Sequence, residues 1–189
     1  MLNKHNYIKN KSHTIIRVMS IGTPISPQTS ALNGKWDLYY HLPDDKQWDI
    51  SSYKVVVNSI HNVEQTIAIN ENIPEKVVKY CMLFAMRTGI TPMWEDKQNR
   101  NGGCFSFKVL NKQVYEVWKT LFYALCGETL CRDQKYSKLI NGITISPKKS
   151  FCIIKVWLSD CSIQDPSILI PIENLSTQGC IFKKHAPEF

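Results

Sequence analysis

Gly89-Ile-Thr-Pro-Met-Trp-Glu-Asp-Lys-Gln-Asn-Arg-Asn-Gly-Gly103 is the stretch from which the rest of the chain is read. Trp94 offers a flat, electron-rich indole face. Glu95, its neighbour, offers two acceptor oxygens that can take two parallel N–H bonds. Gly102 and Gly103 close a polar run in the manner of a hairpin turn. A ring slot beside a carboxylate suits a flat base that presents two N–H donors in a row. Guanine does so with N1 and its exocyclic amine. Methylation at N7 adds a positive charge, which favours stacking on aromatic faces.

The run Pro92-Met-Trp-Glu-Asp96, followed by a polar turn and Gly-Gly, resembles the signature of the eukaryotic translation initiation factor 4E family, the messenger RNA cap-binding proteins. The resemblance runs from Lys35 to Trp157, with a weaker match in the tail. It implies an α+β fold in one domain: a curved antiparallel β-sheet, helices on its convex face and a ligand slot on the concave side. It also implies that Trp48 and Trp94 sandwich the cap base, that Glu95 binds its N1 and N2 groups, that Met93 lines the slot and that Trp157 backs the methyl group. By itself Trp48 reads as a loop aromatic folded onto the core.

The 189 residues are enough for one domain with a proper core. Hydrophobic residues make up 43% and charged residues 21%, ordinary values for a globular chain. The net charge of +7 suits a phosphate-rich partner. Seven cysteines, an odd number with no C-x-x-C pair, read as reduced thiols and argue against a zinc site. No apolar run is long enough to span a membrane. A cytoplasmic monomer without metal or cofactor is expected.

Residues 1–34 contain no acidic side chain and read as a flexible basic arm, with a short strand conceivable at Ile15, Ile16 and Val18; residues 35–189 form the binding domain. Trp36 to Tyr40 and Tyr53 to Val57 read as strands. Val63 opens a first helix. Pro74 opens a second helical stretch, with Val77, Val78, Cys81, Met82 and Ala85 at helical spacing and Gly89 as its stop. Cys104 to Leu110 alternates as a strand. Val114 to Cys126 is an amphipathic helix in which Trp118 takes a core position. Ile140 to Ser146 and Phe151 to Leu158 form a hairpin, and Cys180 to His185 a last strand running into a basic loop.

Two departures from the family pattern matter. The family grips the cap triphosphate with an Arg and two Lys around this hairpin, and the matching positions here hold Lys148, Ser150 and Ile153. Lys149 and Lys155 are the nearest replacements, with Arg100, Lys183, Lys184 and His185 as further phosphate or RNA ligands. Lys148 and Lys149 read equally well as a solvated hairpin tip. The second departure is on the helical back, where the family binds scaffold and repressor proteins. That surface would be carried by Val63, Ile67, Trp118 and Lys119, but Ile67, Lys119 and Thr120 stand where the family has a Trp and a Leu-Glu pair. A scaffold initiation factor or regulator with altered recognition is therefore expected.

The expected function is binding of the 7-methylguanosine cap of messenger RNA in translation initiation, without catalysis and with contacts to the first nucleotides in view. The alternative is a cap-competing repressor or interaction module that recruits no scaffold. An enzyme of RNA metabolism is disfavoured, because Glu95 has no acid–base partner nearby in sequence and no phosphate-cradling glycine loop occurs. Each cation–π contact contributes about 0.5–2 kcal/mol, and each hydrogen bond to a charged acceptor about 1.5–3 kcal/mol. Together they reach micromolar affinity.

Overall fold

A computed structural model describes residues 29–42 and 44–188. Its strands, in chain order, are β1 (Ala31–His41), β2 (Lys54–Asn62), β3 (Met82–Arg87), β4 (Gly103–Leu110), β5 (Ile140–Pro147), β6 (Phe151–Leu158) and β7 (Ile181–Lys184). They form one antiparallel sheet in the order β2-β1-β3-β5-β6-β4-β7. The helices are α1 (Val63–Asn72), α2 (Glu75–Tyr80) and α3 (Val114–Cys126). The pairing of β1 with β2 is broken by register shifts, and Ser59 there takes a left-handed φ of 55°. Such bulges bend a strand and help curve the sheet.

Period-two alternation assigns each strand residue a face. Trp36 and Leu38 of β1, Leu83 and Ala85 of β3, Phe105 and Phe107 of β4, Ile143 and Ile145 of β5, and Ile154 and Val156 of β6 turn toward the helices. There they meet Val117, Trp118, Leu121, Phe122 and Leu125, the apolar stripe of α3. The opposite, concave face carries a smaller cluster of Phe84, Met86, Ile90 and Trp157, against which Tyr39, Tyr53, Met82 and Trp94 pack. Asn62 starts α1 by accepting a hydrogen bond from the Gln65 N–H at 2.8 Å. Arg87 lies over the Trp36 ring, 4.5 Å from its centroid, and pairs with Glu128.

Three expectations change. The second helical stretch ends at Tyr80, and Met82, Leu83, Phe84, Ala85 and Met86 belong to strand β3. This strand is central and buried on both faces, so its apolar run has no polar side to reveal the period. Gly89, with φ 87°, ends a strand rather than a helix. The Gly102–Gly103 pair does not close a hairpin, because β4 neighbours β6 and β7, not β3. A side chain on Gly103 would meet the Phe182 ring at 2.5 Å, so glycine is needed for close packing of β7. Finally, β1 begins at Ala31, inside the segment read as the arm. The rest of that arm, with Ile15, Ile16 and Val18, lies outside the described residues.

Candidate functional site

The loop from Thr88 to Gly102 carries Met93, Trp94 and Glu95, and it is pinned by buried polar groups. The Asp96 carboxylate accepts from the Thr91 N–H at 2.8 Å, from the Thr91 hydroxyl and from the Gln98 N–H at 2.8 Å. Burial pushes the Asp96 carboxyl up, but these hydrogen bonds outweigh it and hold the group below its ordinary value. Asn99 is fully buried. Its amide donates to the carbonyls of Thr91 at 2.8 Å and Met93 at 2.9 Å. Its side-chain oxygen accepts from Asn141 of β5 at 2.9 Å. The loop is thus fastened to the sheet on either side of the Trp94–Glu95 pair.

Trp94 is half-buried against the concave cluster. Its indole is stacked with the His185 ring at 5.6 Å and 16°. His185 also leans on Trp157, with centroids 4.8 Å apart and planes at 53°. Trp157 is buried and donates its indole N–H to the Thr144 hydroxyl at 3.2 Å. His185 Nδ1 is hydrogen-bonded to the Asn99 carbonyl at 2.7 Å, while Nε2 is buried without a partner. Burial lowers the His185 pKa below its ordinary 6.5. This favours a neutral imidazole packed against the Trp94 and Trp157 rings.

Glu95 is half-buried and accepts from the Glu188 backbone N–H at 3.3 Å. Its charge reaches Tyr53: burial first, then the Glu95 carboxylate, push the Tyr53 phenol up to about 12. Tyr53 in turn sets its ring edge-on to Phe84 at 5.2 Å and to Trp48 at 6.3 Å. The Trp48 loop and the Glu95 loop therefore face a common floor. Trp48 itself is 52% exposed. It lies flat on the fully buried His41, centroids 4.1 Å apart and planes 2° from parallel. His41 Nε2 is hydrogen-bonded to the Gln47 carbonyl at 2.8 Å. Among the described residues no ring contact joins Trp48 to Trp94. Trp48 is thus a loop aromatic seated on the sheet, with one face covered.

The cations divide by position. Lys155 and Lys183 hold their ammonium groups over the Trp94 ring, 5.7 Å and 5.0 Å from its centroid. Lys184 pairs with Gly103, one residue out of phase with Lys183, and so belongs to the other face of β7. Lys148 and Lys149 are exposed at the β5–β6 turn, and Arg100 is exposed on the Trp94 loop. On the helical back Val63 and Ile67 are exposed. Trp118, expected on that partner surface, is fully buried in the core, as its helical spacing implied. Lys119 forms an ion pair with Glu71 at 2.7 Å, and Glu71 also accepts from the Tyr123 hydroxyl at 2.7 Å.

Sequence reasoning missed His41, Tyr53, Asn99 and Asn141. Alternation from Asp37 and Tyr39 places His41 on the concave face and could have exposed it. The asparagines gave no signal, because a buried amide looks like a turn residue until its partners are known.

Trp94, His185 and Trp157 thus form an aromatic cluster on the concave face, with Glu95 beside it in sequence and Lys155 and Lys183 over the Trp94 ring. A family model described as eukaryotic initiation factor 4E matches residues 31–178. Eukaryotic translation initiation factor 4E of Candida glabrata is 34% identical over 158 residues, covering 81% of this chain and 70% of that protein. The Saccharomyces cerevisiae factor of the same name is 34% identical over 131 residues, covering 67% of this chain and 60% of that protein. The Acanthamoeba polyphaga mimivirus homolog is 48% identical over 61 residues, 32% of this chain and 22% of that one. Among solved structures, the complex of C. elegans eIF4E-3 with the 4E-binding protein Mextli and a cap analog shares the fold, with a TM-score of 0.68 at 20% identity over 84% of this chain and 94% of that one. The chain belongs to the eukaryotic initiation factor 4E family.

Proposed function

We propose that this protein binds the 7-methylguanosine cap of messenger RNA in translation initiation, acting by binding alone and in the cytoplasm. Trp94 stacks on the base, and Glu95 accepts from its N1 and N2 groups. Trp48, held on His41, offers its open face to the other side of the base, Met93 lines the slot and Trp157 backs the methyl group. The observation that carries this reading is the Trp94–Glu95 pair. It sits on a loop fastened by Asp96 and Asn99, with the Glu95 carboxylate held by a single backbone N–H. That long contact is readily exchanged for the two parallel N–H groups of guanine.

The relatives support an initiation factor over a cap-competing repressor. Partner recognition on the helical back differs from the family pattern: Ile67 and Val63 offer apolar contact, while Lys119 is engaged by Glu71. A scaffold or regulator would meet the Lys119–Glu71 ion pair there. In the direct test, the full chain is captured on 7-methylguanosine triphosphate resin. Release by free 7-methylguanosine triphosphate but not by GTP supports the reading, and release by both alike contradicts it.

A further inference from the structure

We infer that the far end of the concave face, where Lys108 lies over Phe151, is a second contact for capped RNA and takes backbone phosphates of the single strand that follows the cap. The inference rests on the cap-binding reading and extends it to the RNA beyond the slot. In β4, Cys104 pairs with Trp157 of β6, Lys108 with Ile153 and Leu110 with Phe151. Alternate residues of a strand share a face, so Lys108, Leu110, Ile153 and Phe151 lie on the face that carries Trp157. Ile153 is four residues from Trp157 and Phe151 is six, which places the patch about 13–20 Å along the sheet from the slot. The Lys108 ammonium stands 4.5 Å from the Phe151 ring centroid. The ring therefore holds the cation, and the cation is the group offered to a ligand.

Lys108 is exposed, and among the described residues the ion pairs engage Lys79, Arg87, Lys119 and Lys135, not Lys108. Strands β4 to β7 contain no Asp or Glu, so this half of the sheet offers the ammonium no carboxylate. Leu110, beside it, is 47% exposed. A protein segment would have to bring an acidic side chain to this place, whereas a strand of RNA brings a phosphate at every nucleotide. The patch is continuous with the slot along β6. An RNA whose cap is held at Trp94 and Glu95 reaches Lys108 within its first few nucleotides, and the contact, being with the backbone, reads no sequence.

The test measures binding of the full chain to a cap dinucleotide, to a capped oligouridylate of about ten nucleotides, and to the same oligomer with uncharged methylphosphonate linkages. In the unaltered protein at low salt, the capped oligomer should bind about three- to tenfold tighter than the dinucleotide, and the uncharged oligomer should only match the dinucleotide. Lys108→Gln should remove about threefold of the gain and lower the slope of log affinity against log salt by about 0.7, with affinity for the dinucleotide kept within about twofold. Lys108→Arg should keep the gain. Equal affinity of the unaltered protein for dinucleotide and oligomer, a full gain with the uncharged oligomer, or a full gain in Lys108→Gln would overturn the proposal while leaving cap recognition intact. Failure of the unaltered protein to bind either capped ligand would overturn both.

Discussion

His41 and Trp48 lie face to face, ring centroids 4.1 Å apart and planes 2° from parallel. His41 is part of β1 and fully buried, so it ties an exposed loop tryptophan to the rigid sheet. Tyr53 braces the pair edge-on, 5.5 Å from His41 and 6.3 Å from Trp48. The stack orders Trp48 before a ligand arrives, which lowers the entropy lost on binding.

His41→Ala should therefore weaken binding of a methylated cap nucleotide without unfolding the protein. An aromatic pair is worth about 0.5–1.5 kcal/mol, equivalent to about two- to tenfold in affinity. His41→Phe should restore most of it. Calorimetric titration of both variants, with near-ultraviolet circular dichroism as the fold control, checks this.

Glu188 donates its backbone N–H to Glu95, so the tail already occupies the carboxylate. The contact is long, 3.3 Å, and worth less than an average hydrogen bond. Shortening the chain after His185 should tighten binding by about two- to threefold, mainly through faster association. Stopped-flow fluorescence would show it; unchanged association would mean the tail offers no competition.

His185 gives the slot a pH limit. Its folded-state pKa is depressed below 6.5, chiefly by burial, with Lys155 adding to the effect. Between the two values the unfolded chain takes up the proton and the folded chain does not. The stability tied to this residue is therefore full above pH 6.5 and is lost as pH falls below it. Urea midpoints at pH 7.5 and 5.5 should differ more for the natural chain than for His185→Gln.

Arg87 fixes the back of the sheet near the site. It pairs with Glu128, donates to the carbonyls of Ile140 and Ser137 at 3.2 Å each, and covers Trp36. Both ends are only partly buried, so Glu128→Gln should cost on the order of 2 kcal/mol, below the roughly 3–5 kcal/mol of a buried pair. Urea unfolding with an unchanged slope is the measurement.

Much of this was legible because local signals agreed with tertiary structure. The α3 stripe and the alternation of β4 and β6 each match the burial they produce. Strand β3 was misread because burial on both faces erases periodicity. Gly102–Gly103 was misread because glycine marks a close approach as readily as a turn. In the candidate site, Trp94, Glu95 and Trp157 were nominated through motif and register. The support beneath them was not, since Asn99, Asn141 and His41 act through contacts distant in sequence. Sequence alone likewise does not reveal that His185 is buried against two indoles.

The central claim is tested most directly by quenching of tryptophan fluorescence on titration with 7-methylguanosine triphosphate, with GTP in parallel and Glu95→Gln as the variant. The account expects saturable quenching by the methylated nucleotide, little by GTP, and at least about a tenfold loss of affinity in Glu95→Gln. Equal response to both nucleotides, or full affinity in Glu95→Gln, would contradict it.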